Sequence, residues 1–161
     1  MRLRNTDKAG YFRFLSLLVI IIFILGIAAF LLEYFIYDYL GSMQYLLITI
    51  PVVTVLIFYF KGRQIFEYDS EGEALHFKNS NVVLFLNKSL NDEFPKYKLL
   101  AYDIVNIFIV KRLYITINGK KGNIILKYDI SYLTRKELND LKMSLSKVIR
   151  NNKEQKREDI S

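Results

Sequence analysis

The 161-residue chain contains no cysteine. This excludes disulfides, thiolate metal sites and a cysteine nucleophile. It suits a reducing compartment, although exported domains also lack cysteine. There is a single histidine, His76, so a multi-histidine metal centre would need a second chain. No phosphate-binding P-loop, GxGxxG or GxSxG motif occurs. Charge is missing from two long stretches, residues 14–32 and 40–60. All charged side chains lie before, between or after them.

Those gaps explain a composition that is 52% hydrophobic yet 24% charged, with mean hydropathy +0.18. A helix over residues 14–32 extends about 28 Å, close to the roughly 30 Å hydrocarbon core of a bilayer. Residues 40–60 give a second run of similar length, with Pro51 inside it. Both are expected to be transmembrane helices, joined by a short loop at 33–39. Pro51 is expected to kink the second span without preventing insertion. The competing reading of the first run is a cleaved signal peptide. Its apolar stretch is too long for a signal-peptide core, no A-x-A site follows, and a second span comes soon after.

The flanks set an orientation. Arg2, Arg4, Lys8 and Arg13 stand against Asp7 in the N-terminal segment 1–13. The loop carries Glu33 and Asp38 without Lys or Arg, and Lys61 and Arg63 follow the second span. The positive-inside rule then puts both termini in the cytoplasm. Tyr34, Tyr37, Tyr39 and Tyr45 read as an outer interfacial belt, with Tyr11 and Tyr59 on the inner side. Glu33 and Asp38 are expected to be solvated loop carboxylates. Ser16, Gln44, Thr49 and Thr54 are candidates for contacts between the helices. No strict GxxxG marks a packing face.

From Gln64 the pattern changes to short alternating segments. Phe66 and Tyr68 share a face. Leu75 and Phe77 oppose His76 and Lys78. Leu113, Ile115 and Ile117 alternate with Tyr114, Thr116 and Asn118. Ile124, Leu126 and Tyr128 alternate with Ile125 and Lys127. Period-two alternation marks half-buried strands. The apolar stretch 82–87 reads as a central strand, and 99–101 and 104–110 as two more. About seven antiparallel strands are expected, forming a small barrel or sandwich. Ser70-Glu71-Gly72, Asn79-Ser80-Asn81 and the segment 118–122 are the turns.

A helix closes the domain. Thr134 and Glu137 have capping-box spacing, and Leu133 and Leu138 suit a hydrophobic staple. Leu138, Leu141, Leu145, Val148 and Ile149 form one apolar stripe. It is expected to cover an open end or edge of the sheet. The segment 151–161 is highly polar and is expected to be a frayed tail.

Seven short strands and one amphipathic helix over residues 64–150 resemble the pleckstrin-homology (PH) fold. Two preceding spans resemble membrane-anchored bacterial PH-like proteins. The residues behind this are Phe66-Glu-Tyr-Asp-Ser-Glu-Gly72, the strand series, and Lys127-Tyr-Asp-Ile-Ser-Tyr-Leu-Thr-Arg-Lys-Glu137 leading into the helix. The resemblance implies a binding or scaffold module with a protein partner or a larger membrane complex. No catalytic site, cofactor or metal is expected, because no motif or residue cluster in the sequence supplies one. Phosphoinositide-binding PH domains carry basic residues in the first strand–strand loop. Here that region has Glu67, Asp69, Glu71 and Glu73, which would repel phosphorylated headgroups.

The net charge is +7 and the isoelectric point about 9.5. Positive-inside bias accounts for much of this. The remaining basic residues are candidates for contact with an anionic membrane surface. Lys111-Arg112 and Lys120-Lys121 are expected at one end of the sheet, with Lys142, Lys147 and Arg150 on the helix. Each cation close to an anionic leaflet contributes about 1 kcal/mol of attraction. No motif interleaves aromatic and basic residues, so no nucleic-acid partner is expected. His76, between Leu75 and Phe77, is expected at a strand surface. The richness in Ile, Lys, Asn, Tyr and Phe resembles a low-GC bacterium, which makes the expected location the bacterial cytoplasmic membrane.

Overall fold

A computed structural model describes residues 1–82, 89–120 and 122–158. The chain forms two compact units. One is Gly10–Lys61. The other combines Met1–Ala9 with Gly62–Ser161, so the helical unit is inserted into the β-rich one.

The helical unit contains α1 (Ala9–Leu32) and α2 (Leu46–Phe60). With the tight turns at their ends, both are long and apolar enough to cross a membrane. They meet at Gly26. A Cβ there would clash with the Pro51 ring and lie 2.7 Å from the Leu47 carbonyl. A lone glycine thus supplies the packing face that the sequence does not mark. Thr49 and Thr54 donate to the carbonyls of Tyr45 and Ile50, four residues earlier in the chain, rather than across to α1.

After α1, Glu33–Tyr37 winds into a π-helical turn, and Asp38 adopts a left-handed φ of 48°. Glu33 departs from expectation. It is only 8% exposed, and its carboxylate accepts the backbone N–H of Leu40. It therefore caps the loop rather than standing in solvent. Asp38 is exposed, and Tyr34, Tyr37, Tyr39 and Tyr45 all lie outward.

The β-rich unit has two antiparallel sheets. The first is ordered β1 (Arg2–Arg4), β2 (Ile65–Asp69), β3 (Ala74–Ser80) and β4 (Leu90–Pro95). The second is β5 (Leu99–Ile107), β6 (Val110–Gly119) and β7 (Gly122–Asp129). The seven strands are not the seven expected. β1 comes from the N-terminal segment, which is therefore part of the domain. β4 carries Asn91, Asp92 and Glu93 and shows little apolar alternation. The two candidates at 99–101 and 104–110 merge into one strand ending at Ile107. The expected strand at 82–87 falls outside the described residues beyond Val82.

The core follows the alternation. Phe66, Tyr68, Leu75 and Phe77 of the first sheet meet Leu113, Ile115 and Tyr128 of the second, all at most 1% exposed. The Phe77 and Tyr128 rings stack at 4.9 Å. Each such side chain stabilises the fold by about 1.5–3 kcal/mol through burial. Asn79, fully buried, joins the sheets: its amide donates to the carbonyls of Ile65 (2.9 Å) and Asp129 (3.0 Å) and accepts from the Asp129 N–H (2.9 Å). Asn5, 1% exposed, fastens the end of β1 by donating to the Gln64 carbonyl and accepting from the Phe66 N–H.

Helix α3 spans Arg135–Glu158 and buries Leu141, Leu145 and Val148. The capping box forms: the Thr134 N–H donates to Glu137 at 2.7 Å, and the Glu137 N–H donates to the Thr134 hydroxyl at 3.3 Å. Asn151 and the residues after it to Glu158 are helical rather than frayed. Asn152 provides the reason, donating from its side chain to the carbonyls of Lys96 and Leu99.

Candidate functional site

The cations of β1 and the acids of β2 pair across the sheet edge. Register sets Arg2 opposite Asp69 and Arg4 opposite Glu67. Arg2 Nε lies 2.9 Å from Asp69 Oδ2, and Arg4 Nε lies 3.5 Å from Glu67 Oε2. Lys78 from β3 reaches Glu67 at 3.0 Å, and the N-terminal ammonium is 4.0 Å from Glu71. Glu67, Asp69 and Glu71 of the acidic hairpin are thus paired within the domain. The Glu71 N–H, followed by Arg2, holds the Asp69 carboxyl below its usual pKa. His76 is exposed beside Glu93, at 3.3 Å.

The expected anion contacts are separated by the fold. Lys111 and Arg112 lie at the start of β6, whereas Lys120 follows its end, nine residues after Lys111. They do not share one end of the sheet, because a single strand runs between them. Lys121 is outside the described residues. Arg112 is occupied: Asp129 accepts from the Arg63 backbone and guanidinium and lies 3.7 Å from Arg112 Nε. Lys142, Lys147 and Arg150 do come together. With Met143 and Ser146 they line a shallow groove of about 410 Å³ on the exposed side of α3. Met143 is 64% exposed at its centre.

A larger cleft of about 570 Å³ runs between α3 and the first sheet, lined in part by Met1, Ser70, Tyr97, Ser144 and Lys147. A hydroxyl chain touches its wall, with Tyr68 2.9 Å and Ser70 3.2 Å from Ser144 Oγ. Burial raises the Tyr68 pKa, so this phenol is a poor base at neutral pH. Burial and then the Asp92 hydrogen bond raise Tyr128 still further. Among the described residues, no group of three His, Asp or Glu side chains gathers to hold a metal.

Open sheet edge completes the inventory. β7 pairs with β6 alone among the described strands. Its first half reads Gly122-Asn123-Ile124-Ile125, and Ile124 and Ile125 are 48% and 67% exposed. Alternation from Tyr128 would place Ile124 inward. It is exposed although its cross-strand partner Ile117 is buried. Neither the β7 edge nor the β1 pairing was visible from composition, since both depend on which strands become neighbours. Compared with protein-family models, curated proteins and solved structures, the chain matches none.

Proposed function

We propose that this is a non-enzymatic accessory or scaffold protein, anchored in a bacterial cytoplasmic membrane by two spans with both termini cytoplasmic. Its β-rich unit is a PH-like domain that binds a protein partner or joins a larger membrane complex. The four-plus-three sheet order with a closing helix supports the PH-like reading. The length and apolarity of α1 and α2 support the spans.

The observation that carries partner binding is the β7 edge, unpaired among the described strands. Soluble strands at a sheet edge are normally blunted by Lys, Pro or a bulge. The stretch 122–126 has none of these side chains and exposes two isoleucines. Such an edge accepts an extended peptide, with main-chain hydrogen bonds giving affinity and side-chain pockets giving specificity. The test is purification of the tagged full chain from its native membrane in mild detergent, beside Ile125→Lys. A stoichiometric partner kept by the parent and lost from the variant supports the reading. A chain that runs alone, with nothing crosslinked in cells, defeats it.

The α3 groove favours a second reading, contact with an anionic membrane surface through Lys142, Lys147 and Arg150. The cysteine-free chain makes this testable by Met143→Cys in vesicles. Anionic lipid slows maleimide labelling at low salt and high salt restores it. Equal labelling in neutral and anionic vesicles refutes it.

A further inference from the structure

The β5–β6 hairpin ends in a two-residue turn, Phe108-Ile109, between the paired residues Ile107 and Val110. Phe108 is fully exposed, and Ile107 and Ile109 are 57% and 40% exposed. Phe108 also has φ of 53°, where glycine or asparagine is the easy choice. A large apolar side chain is therefore presented to solvent from a backbone conformation that disfavours it. Strain combined with exposure is the signature of a functional tip rather than of packing.

The position of this tip within the β-rich unit identifies what it meets. β7 stays paired with β6 only as far as Arg112↔Asp129. The hairpin continues past that pair through Lys111 to the turn. Asp129 also binds the Arg63 backbone and packs on Gly62, where a Cβ would lie 2.6 Å from its carboxyl carbon. Gly62 is the residue at which the chain passes to Lys61 and α2. The tip thus projects from the end of the domain that carries the exit to an apolar helix. Lys111 stands three residues behind Phe108, with Arg63 and Arg112 at its base.

We propose that Ile107, Phe108 and Ile109 insert into the interface of the bilayer crossed by α1 and α2, with Lys111 at the headgroups. The tip is a further attachment point that fixes the tilt of the domain on the membrane. Two features select lipid over a protein groove: covalent continuity of this end with the span, and Lys111 directly behind the apolar residues, Arg63 and Arg112 being paired with Asp129. The proposal rests on the spanning reading, so its test separates the two.

Single cysteines are placed at Phe108→Cys, Ile21→Cys and Lys120→Cys in the full chain. Each is labelled with an environment-sensitive dye and reconstituted into phosphatidylcholine–phosphatidylglycerol vesicles with shallow or deep nitroxide lipids. The expected result is blue-shifted emission at 108, quenched more by shallow than by deep nitroxides. Deep quenching is expected at 21, and aqueous emission without quenching at 120. An aqueous signal at 108 beside deep quenching at 21 overturns the insertion alone. Loss of quenching at 21 overturns the spanning reading and the insertion with it. A blue shift at 108 without lipid quenching, or crosslinking of 108 between two copies, assigns the tip to protein and also overturns the proposal.

Discussion

Asn79 illustrates how one side chain decides more than its neighbours suggest. It falls in a turn-like Asn79-Ser80-Asn81, yet its amide satisfies three backbone groups from two sheets. Asn79→Ala would leave those groups buried and unpaired, each costing about 1–3 kcal/mol. Thermal unfolding of the full chain in detergent is expected to show a loss of at least about 3 kcal/mol. His76→Ala, at an exposed position, is expected to change stability by less than about 0.5 kcal/mol. Glu137 gives a pH prediction. Burial pushes its pKa up, but the Thr134 amide and hydroxyl and Lys8 outweigh this and hold it below the usual range. A lowered folded pKa contributes stability above the unfolded value of about 4 and loses it as pH falls through the folded value. Asp69 acts in the same direction. Acid titration of the unfolding midpoint is expected to be shallower below about pH 4 in Glu137→Gln than in the parent.

At the scale of elements, the alternation in β3 and β6 and the capping box of α3 were legible in the sequence. Those signals are local: strand faces follow from period two, and the cap from a three-residue spacing. β1 was not legible, because Arg2, Leu3 and Arg4 pair with residues more than sixty positions away. Its cations read equally well as a topology signal. Deleting residues 1–5 removes the edge strand and the Asn5 clamp. It is expected to destabilise the β-rich unit, read as faster proteolysis within residues 62–158. A fragment 64–150 is expected to be unstable for the same reason. The β5–β6 turn behaves oppositely. Left-handed φ costs a bulky L-residue roughly 1–2 kcal/mol, part of which is offset by the entropy of a glycine in the unfolded chain. Phe108→Gly is therefore expected to raise the unfolding midpoint while removing the apolar tip.

Across the whole molecule, charge and burial act together at alkaline pH. Burial raises the pKa of Tyr68, Tyr128 and Tyr132, with the Asp92 hydrogen bond adding to the effect at Tyr128. A raised folded pKa keeps its stability below the unfolded value of about 10 and loses it as pH rises beyond. Unfolding midpoints are expected to fall steeply above about pH 10, and Tyr68→Phe to flatten that fall. The sequence by itself determined two long apolar helices, a β-rich unit built on alternation and an amphipathic closing helix. Hydrophobic periodicity and side-chain hydration act over a few residues, so a linear reading captures them. Only the tertiary structure decided that the helical unit is inserted after a first strand and that Asn79 joins the two sheets. It also decided which cations are spent on Asp69, Glu67 and Asp129 and which gather on α3, where Arg150 lies 3.8 Å from Glu154. Those outcomes depend on strand neighbours brought together from distant parts of the chain, and no local pattern specifies them.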